Sequence, residues 1–186
     1  MAYTTNPPPR PSTPKNAKDL YHQFNELYKN LYPLWQRTGE YNSIIPEQNI
    51  NLTKKGNIGV SDSILLQYSI KAQGLTKYAQ IEGFGNFAAN ANNKRIRLYA
   101  GSTILLDTGI LAINSGSWVI KSEIFRVNIN SQKSTSTIVS NNSTLNCKSY
   151  SVILNENLNN ALLIKVIANG VADNDVTQEG LIVNLV

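Results

Sequence analysis

The fifty residues from Tyr78 to Val127, YAQIEGFGNFAANANNKRIRLYAGSTILLDTGILAINSGSWVIKSEIFRV, constrain the fold more than any other stretch. Short apolar runs are separated by breaks rich in Gly and Asn. Ile96 and Leu98 alternate with Arg95, Arg97 and Tyr99. A period of two places one set on a buried face and the other outward, as in a half-buried strand. The run Ile104–Leu106 stops at Asp107-Thr108-Gly109, and Trp118 opens the next run. This pattern reads as the centre of a β-sandwich.

The same period continues on both sides. Ile64, Leu66, Tyr68 and Ile70 share one strand face, with Gln67, Ser69 and Lys71 on the other. Further strands are expected at 78–84, 94–100, 103–106, 110–113, 118–129, 150–154, 161–168 and 176–186. The 118–129 strand changes apolar phase from Trp118, Ile120 and Ile124 to Phe125, Val127 and Ile129, which suggests a bulge near Ser122–Ile124. Residues 131–137 and 140–149 read as polar Ser/Thr-rich segments. About eight to ten strands with frequent turns make an antiparallel sandwich or jelly roll. No helical pattern recurs after residue 40, which excludes alternating α/β folds.

The N-terminal part is different. Residues 1–16 hold five of the seven prolines: Pro7, Pro8, Pro9, Pro11 and Pro14, with Arg10 among them. Proline fixes φ and removes donors, so this tail is extended and cannot fold on itself. It is either a free tail or a peptide that docks on a larger partner. Residues 17–38 carry the one strong helix signal. Leu20, Phe24, Leu27, Leu31 and Leu34 are spaced by 4, 3, 4 and 3 residues, the spacing of a coiled-coil seam. The seam packs either on its own domain or between copies of the chain. Residues 39–62 form a linker with the first strands, and 63–186 the β-sandwich domain.

Composition removes several chemistries. With one cysteine, Cys147, no intrachain disulfide or zinc site built on Cys pairs is available. The single histidine, His22, falls on the stalk helix, which argues against His-based triads and metal sites. The net charge of +5 (17 basic less 12 acidic) is scattered rather than run together, so no nucleic-acid partner is expected. No apolar run approaches a membrane span of about 18 residues, and the N-terminus lacks the apolar core of a secretory signal peptide. Gly83-Phe84-Gly85 lacks the third glycine and the helix of a dinucleotide loop, so a bulge or tight turn beside a strand explains it better. Asp107-Thr108-Gly109 reads as a turn with Asp as local acceptor. Asp173-Asn174-Asp175 reads as a solvated turn rather than a Ca²⁺ loop. Asp107 and Glu123 are the carboxylates to consider for glycoside hydrolysis, which requires them within about 10 Å across one cleft. No cofactor, metal or catalytic residue is expected.

The block FAANANNKRIRLYAGSTILLDTG (87–109), with Trp118, Arg126 and the closing ADNDVTQEGLIVNLV (172–186), resembles small jelly-roll, tumour-necrosis-factor-like β-sandwich domains of tailed-phage fibre, spike and capsid-associated appendage proteins. The resemblance covers about residues 64–186 and implies a virion location and a homotrimer. Combined with the tail and the helix, it suggests anchor, stalk and head. The expected role is a non-enzymatic virion structural protein, a trimeric fibre or decoration protein. Its N-terminal segment would attach to other virion proteins, and its head would meet a host-surface glycan or protein. Arg95, Arg97 and Tyr99 are the residues expected to face a partner. The rival readings are a carbohydrate-binding or depolymerising tail-spike module and a head–tail adaptor.

Overall fold

The computed structural model describes residues 47–145 and 147–186. The Pro-rich tail over 1–16, the helix with its Leu20/Phe24/Leu27/Leu31/Leu34 seam, and the first part of the linker lie outside the described residues. The described chain is all β, as the alternation predicts. Its strands are β1 (Glu47–Asn51), β2 (Lys55–Gly56), β3 (Ser63–Ile70), β4 (Tyr78–Phe87), β5 (Asn93–Ala100), β6 (Thr103–Asp107), β7 (Leu111–Ala112), β8 (Gly116–Asn128), β9 (Ser131–Ser140), β10 (Cys147–Leu154), β11 (Leu162–Asn169) and β12 (Val176–Leu185).

Two antiparallel sheets form. One runs β1-β12-β4-β8-β9-β10 with β2 also on β12; the other runs β3-β11-β5-β6 with β7 on β5. The pairing is concentric. β1 pairs with β12, β3 with β11, β4 with β8, and β5 with β6. Cross-pairs β12–β4 and β11–β5 then join these couples into sheets. An antiparallel ribbon rolled on itself in this way is a jelly roll. The hairpin β9–β10 is additional and lies between the sixth and seventh strands of the roll.

The core lies between the sheets. Ala79 and Ile81 of β4, Ile96 and Leu98 of β5, Trp118, Ile120 and Ile124 of β8, Ile164 and Val166 of β11, and Leu181 and Val183 of β12 are buried there. Burying each Ile or Leu contributes roughly 1.5–3 kcal/mol. Arg95, Arg97 and Tyr99 point away from that core, as the alternation requires. In β3 the phase changes: Leu65 and Leu66 are both buried and Ile64 is exposed. The partner strand β11 shifts register opposite, between Lys165 and Ile167.

Three local expectations are corrected. Gly83 and Gly85 are not in a turn; they sit inside β4 and face the core. A Cβ on Gly85 would lie 1.9 Å from the Thr177 carbonyl oxygen and 2.8 Å from the Trp118 ring. The glycine therefore gives the indole its place against bare backbone. The register shift is on β12, between Gln178 and Gly180. The expected bulge near Ser122–Ile124 is also absent, because β8 keeps register there and shifts only between Arg126 and Asn128. Ser122 is an inward, buried residue whose Oγ lies 2.7 Å from Ser136 Oγ, while Phe125 and Val127 are outward and exposed. The apparent phase change was an apolar outer surface. Residues 131–140 and 147–154 are full strands. Gln132, Ser134, Ser136 and Ser140 are buried on the inner side of β9, where β6 lies against β9 and β10. Small hydroxyl side chains let that edge approach.

One end of the roll is closed by a buried polar cluster that includes Asp175 of the expected solvated turn. Lys94 and Asp175 are both buried. Lys94 Nζ donates to the carbonyls of Asn90 (2.8 Å), Asn92 (3.3 Å) and Ile113 (2.5 Å), and to Asn90 Oδ1 (2.8 Å). Asp175 accepts from Asn90 Nδ2 (2.8 Å), Asn92 Nδ2 (3.0 Å) and the backbone N–H groups of Val171 and Ala172 (both 2.8 Å). Burial pushes the lysine pKa down, and the nearby Asp175 charge opposes it. Burial alone would raise the Asp175 pKa, but its backbone and Asn donors outweigh that and hold it below the usual range. The 170–175 loop is thus a turn between strands, as read, but a buried carboxylate anchors it.

Two tests follow from this packing. Gly85→Ala should lower stability in urea unfolding by about 3 kcal/mol. Gly83→Ala should cost about 1 kcal/mol or less, since its Cβ would meet only the Gln178 side chain, at 3.2 Å, and nothing else closer than 3.8 Å. Equal costs would contradict the indole-on-backbone packing. Asp175 has a lowered folded pKa, so its stabilisation is present above the unfolded value near 3.9 and is lost as pH falls through the folded value. Asp175→Asn should cost about 3 kcal/mol at pH 7 and flatten the loss of stability below about pH 4.

A candidate binding face on the seven-stranded sheet

Registry across four neighbouring strands sets out a grid on the outer face of the larger sheet. Asn184 is opposite Gln80, Gln80 opposite Glu123, and Glu123 opposite Thr135. The next row runs Glu82, Lys121, Thr137. Neighbouring groups in a row stand about 4.8 Å apart, and rows about 7 Å apart along the strands. These side chains line a shallow depression of about 300 Å³. That volume is at the low end of small-ligand sites. Gln80 Nε2 donates to Glu123 Oε1 at 3.4 Å, and Gln48 Nε2 of β1 donates to Asn184 Oδ1 at 2.9 Å.

The two borders of this polar floor are apolar. On one side, Phe84 is opposite Val119, which is opposite Val139, and Leu52 and the Phe84 ring both lie over Gly180. On the other side Tyr78 stacks on Phe125, with ring centroids 5.8 Å apart and planes inclined by 25°. Phe125 is 43% exposed, so the stack presents an open apolar surface. A protein–protein interface has the reverse layout, with an apolar centre and a polar rim. A floor of amide, hydroxyl and carboxylate groups beside an aromatic platform suits a small polyhydroxylated ligand.

The residues expected to face a partner lie elsewhere. Arg95, Arg97 and Tyr99 are brought together on the outer face of the smaller sheet, but both guanidiniums are engaged. Arg95 Nε donates to Asp107 Oδ1 at 2.8 Å, and its second nitrogen also bonds that carboxylate. Arg97 is buried and paired with Asp62, and its Nη1 donates to Tyr99 Oη at 3.2 Å. Lys165 Nζ lies 5.1 Å from the Tyr99 ring centroid. The Arg95 hydrogen bond holds the Asp107 carboxyl below the usual range. Asp107 also accepts from the Gly109 N–H at 2.9 Å, and Gly109 has φ +70°. Asp-Thr-Gly is therefore a turn with a local acceptor, as read from the sequence.

Asp107 and Glu123 do not share a cleft. They lie on the outer faces of opposite sheets, with the core between them. Cys147 is exposed on β10. Among the described residues, no group of three or more His, Cys, Asp or Glu side chains could hold a metal ion. Glu123 is the one residue of this face that sequence reasoning singled out, and for a different role. Period two would have marked Gln80, Glu82 and Lys121 as outward, but not as neighbours.

No family model and no curated protein sequence matches the chain. Two solved structures of infectious bursal disease virus show a distant likeness. The VP2 subviral particle gives a TM-score of 0.23 at 14% identity, over 76% of this chain and 42% of that one. The Gt strain gives 0.23 at 13% identity, over 75% and 41%. The chain thus spans about two fifths of the length of each. Scores this low carry no argument, and the jelly roll rests on its own strand pairings.

Proposed function

We propose that this chain is a non-enzymatic structural protein of a virus particle, a trimeric fibre or decoration protein whose jelly-roll head binds a host-surface glycan through the outer face of the seven-stranded sheet. The observation that carries the binding role is the polar floor set between two apolar borders. Support for the particle role is the resemblance of residues 87–109 and 172–186 to phage appendage heads, together with concentric strand pairing of the kind such heads use. The separation of Asp107 from Glu123 supports binding over hydrolysis. The heptad spacing of Leu20, Phe24, Leu27, Leu31 and Leu34 in the sequence supports self-association, and the Pro-rich composition of residues 1–16 supports attachment to other virion proteins.

Binding is tested on a printed glycan array. The double substitution Gln80→Ala/Asn184→Ala should lower the array signal about tenfold, the loss expected from two hydrogen bonds of about 0.7 kcal/mol each. The urea midpoint should be unchanged, because both side chains lie on the outer face. An unaltered signal would remove the face from the binding role. Assembly is tested by native mass measurement at micromolar concentration: a trimer is expected, and Leu27→Asp with Leu31→Asp should reduce it to monomers. A monomeric parent protein would overturn the trimer.

A further inference from the structure

The charges of the depression point to a narrower ligand class than glycans in general. Three charged side chains line it: Glu82, Lys121 and Glu123. Lys121 is directly opposite Glu82 and two residues from Glu123, yet none of the three is in an ion pair among the described residues. The protein as a whole is basic, with a net charge of +5. The floor reverses that sign, with two carboxylates against one ammonium. Of the remaining lining residues, Gln80, Thr135, Thr137 and Asn184 present neutral hydrogen-bonding side chains outward, while Ile81 and Ser122 turn theirs into the core. Lys133 is outside the depression, beside Phe125 on the aromatic border.

We infer that the depression selects a glycan bearing free amines, accepts its N-acetylated or fully hydroxylated counterpart more weakly, and rejects acidic sugars. This rests on the glycan reading above and adds the class. An ammonium placed over the floor meets Glu82 and Glu123 in charge-assisted hydrogen bonds, which are roughly twice as strong as neutral ones. A sugar carboxylate or sulfate placed there meets two like charges, and such juxtaposition rejects the wrong ligand. The neutral amides and hydroxyls serve all three classes alike. The Tyr78–Phe125 stack offers its exposed surface to the apolar side of a sugar ring in each case.

The experiment compares three oligosaccharides with the full chain by titration calorimetry: glucosamine oligomers, N-acetylglucosamine oligomers of equal length, and hyaluronan fragments. The glucosamine oligomer should bind about tenfold tighter than the N-acetylated one, with hyaluronan weakest. Glu82→Gln and Glu123→Gln keep shape and hydrogen bonding but remove charge. Each should weaken glucosamine-oligomer binding severalfold and leave N-acetylglucosamine binding within about twofold, so the preference collapses in the double variant. Raising the salt concentration should weaken only the amine-bearing ligand. Hyaluronan binding best, or a preference that survives the double variant, overturns the amine class while leaving glycan binding in place. Failure of all three oligomers, joined to a blank glycan array, overturns the glycan reading itself and this inference with it.

Discussion

The roll depends on one close approach. Trp118 lies against the bare backbone of Gly83 and Gly85, inside the pair β4–β8 that also carries β12. A side chain at Gly85 would collide with both the indole and the Thr177 carbonyl, so the ring and the β12 backbone share a space that only glycine leaves open. The register shift in β12 at Gln178–Gly180 falls beside it. Gln178 is itself buried; its Oε1 accepts the Leu66 N–H at 3.1 Å, and its Nε2 donates to the Gly180 carbonyl at 3.0 Å. One polar side chain thus restores bonds that the irregular ladder would leave open, and ties the larger sheet to β3 of the smaller one. The outer grid of rows inherits its alignment from this seam.

The alternating strands were legible because their chemistry is one-sided. Arg95, Arg97 and Tyr99 against Ile96 and Leu98 could mean little else. Segments buried through polar atoms were not legible. Ser134, Ser136 and Gln132 read as part of a polar Ser/Thr-rich segment, yet they lie inside, where β6 comes close to β9. Asp175 reads as part of a solvated turn, yet it is buried with Lys94 at one end of the roll. Single-sequence patterns cannot show this, because burial of a charge depends on partners that arrive from distant residues: Ile113 for the lysine, Asn90 and Asn92 for the carboxylate.

The candidate binding face was hidden for a related reason. Its residues are spread from Gln80 to Asn184 and belong to four strands. Each is an unremarked outward position on its own strand, and only the inter-strand registers bring them into rows. In the strongest outward signal of the sequence, the two arginines and the tyrosine of β5, Arg95 is paired with Asp107, Arg97 with Asp62, and Tyr99 accepts from Arg97. An outward basic strand is therefore a weak sign of a partner when carboxylates stand on neighbouring segments to neutralise it.

The hairpin β9–β10 lies outside the concentric scheme. Without it the eight strands of the roll already close, and β8 would simply be the sheet edge. With it, that edge moves outward by two strands, β6 gains cover, and Thr135 and Thr137 enter the floor of the depression. Part of the candidate binding face therefore sits on a segment outside the eight paired strands of the roll. A change in this hairpin's length or outward residues would alter that face while leaving the eight-strand pairing scheme as it is.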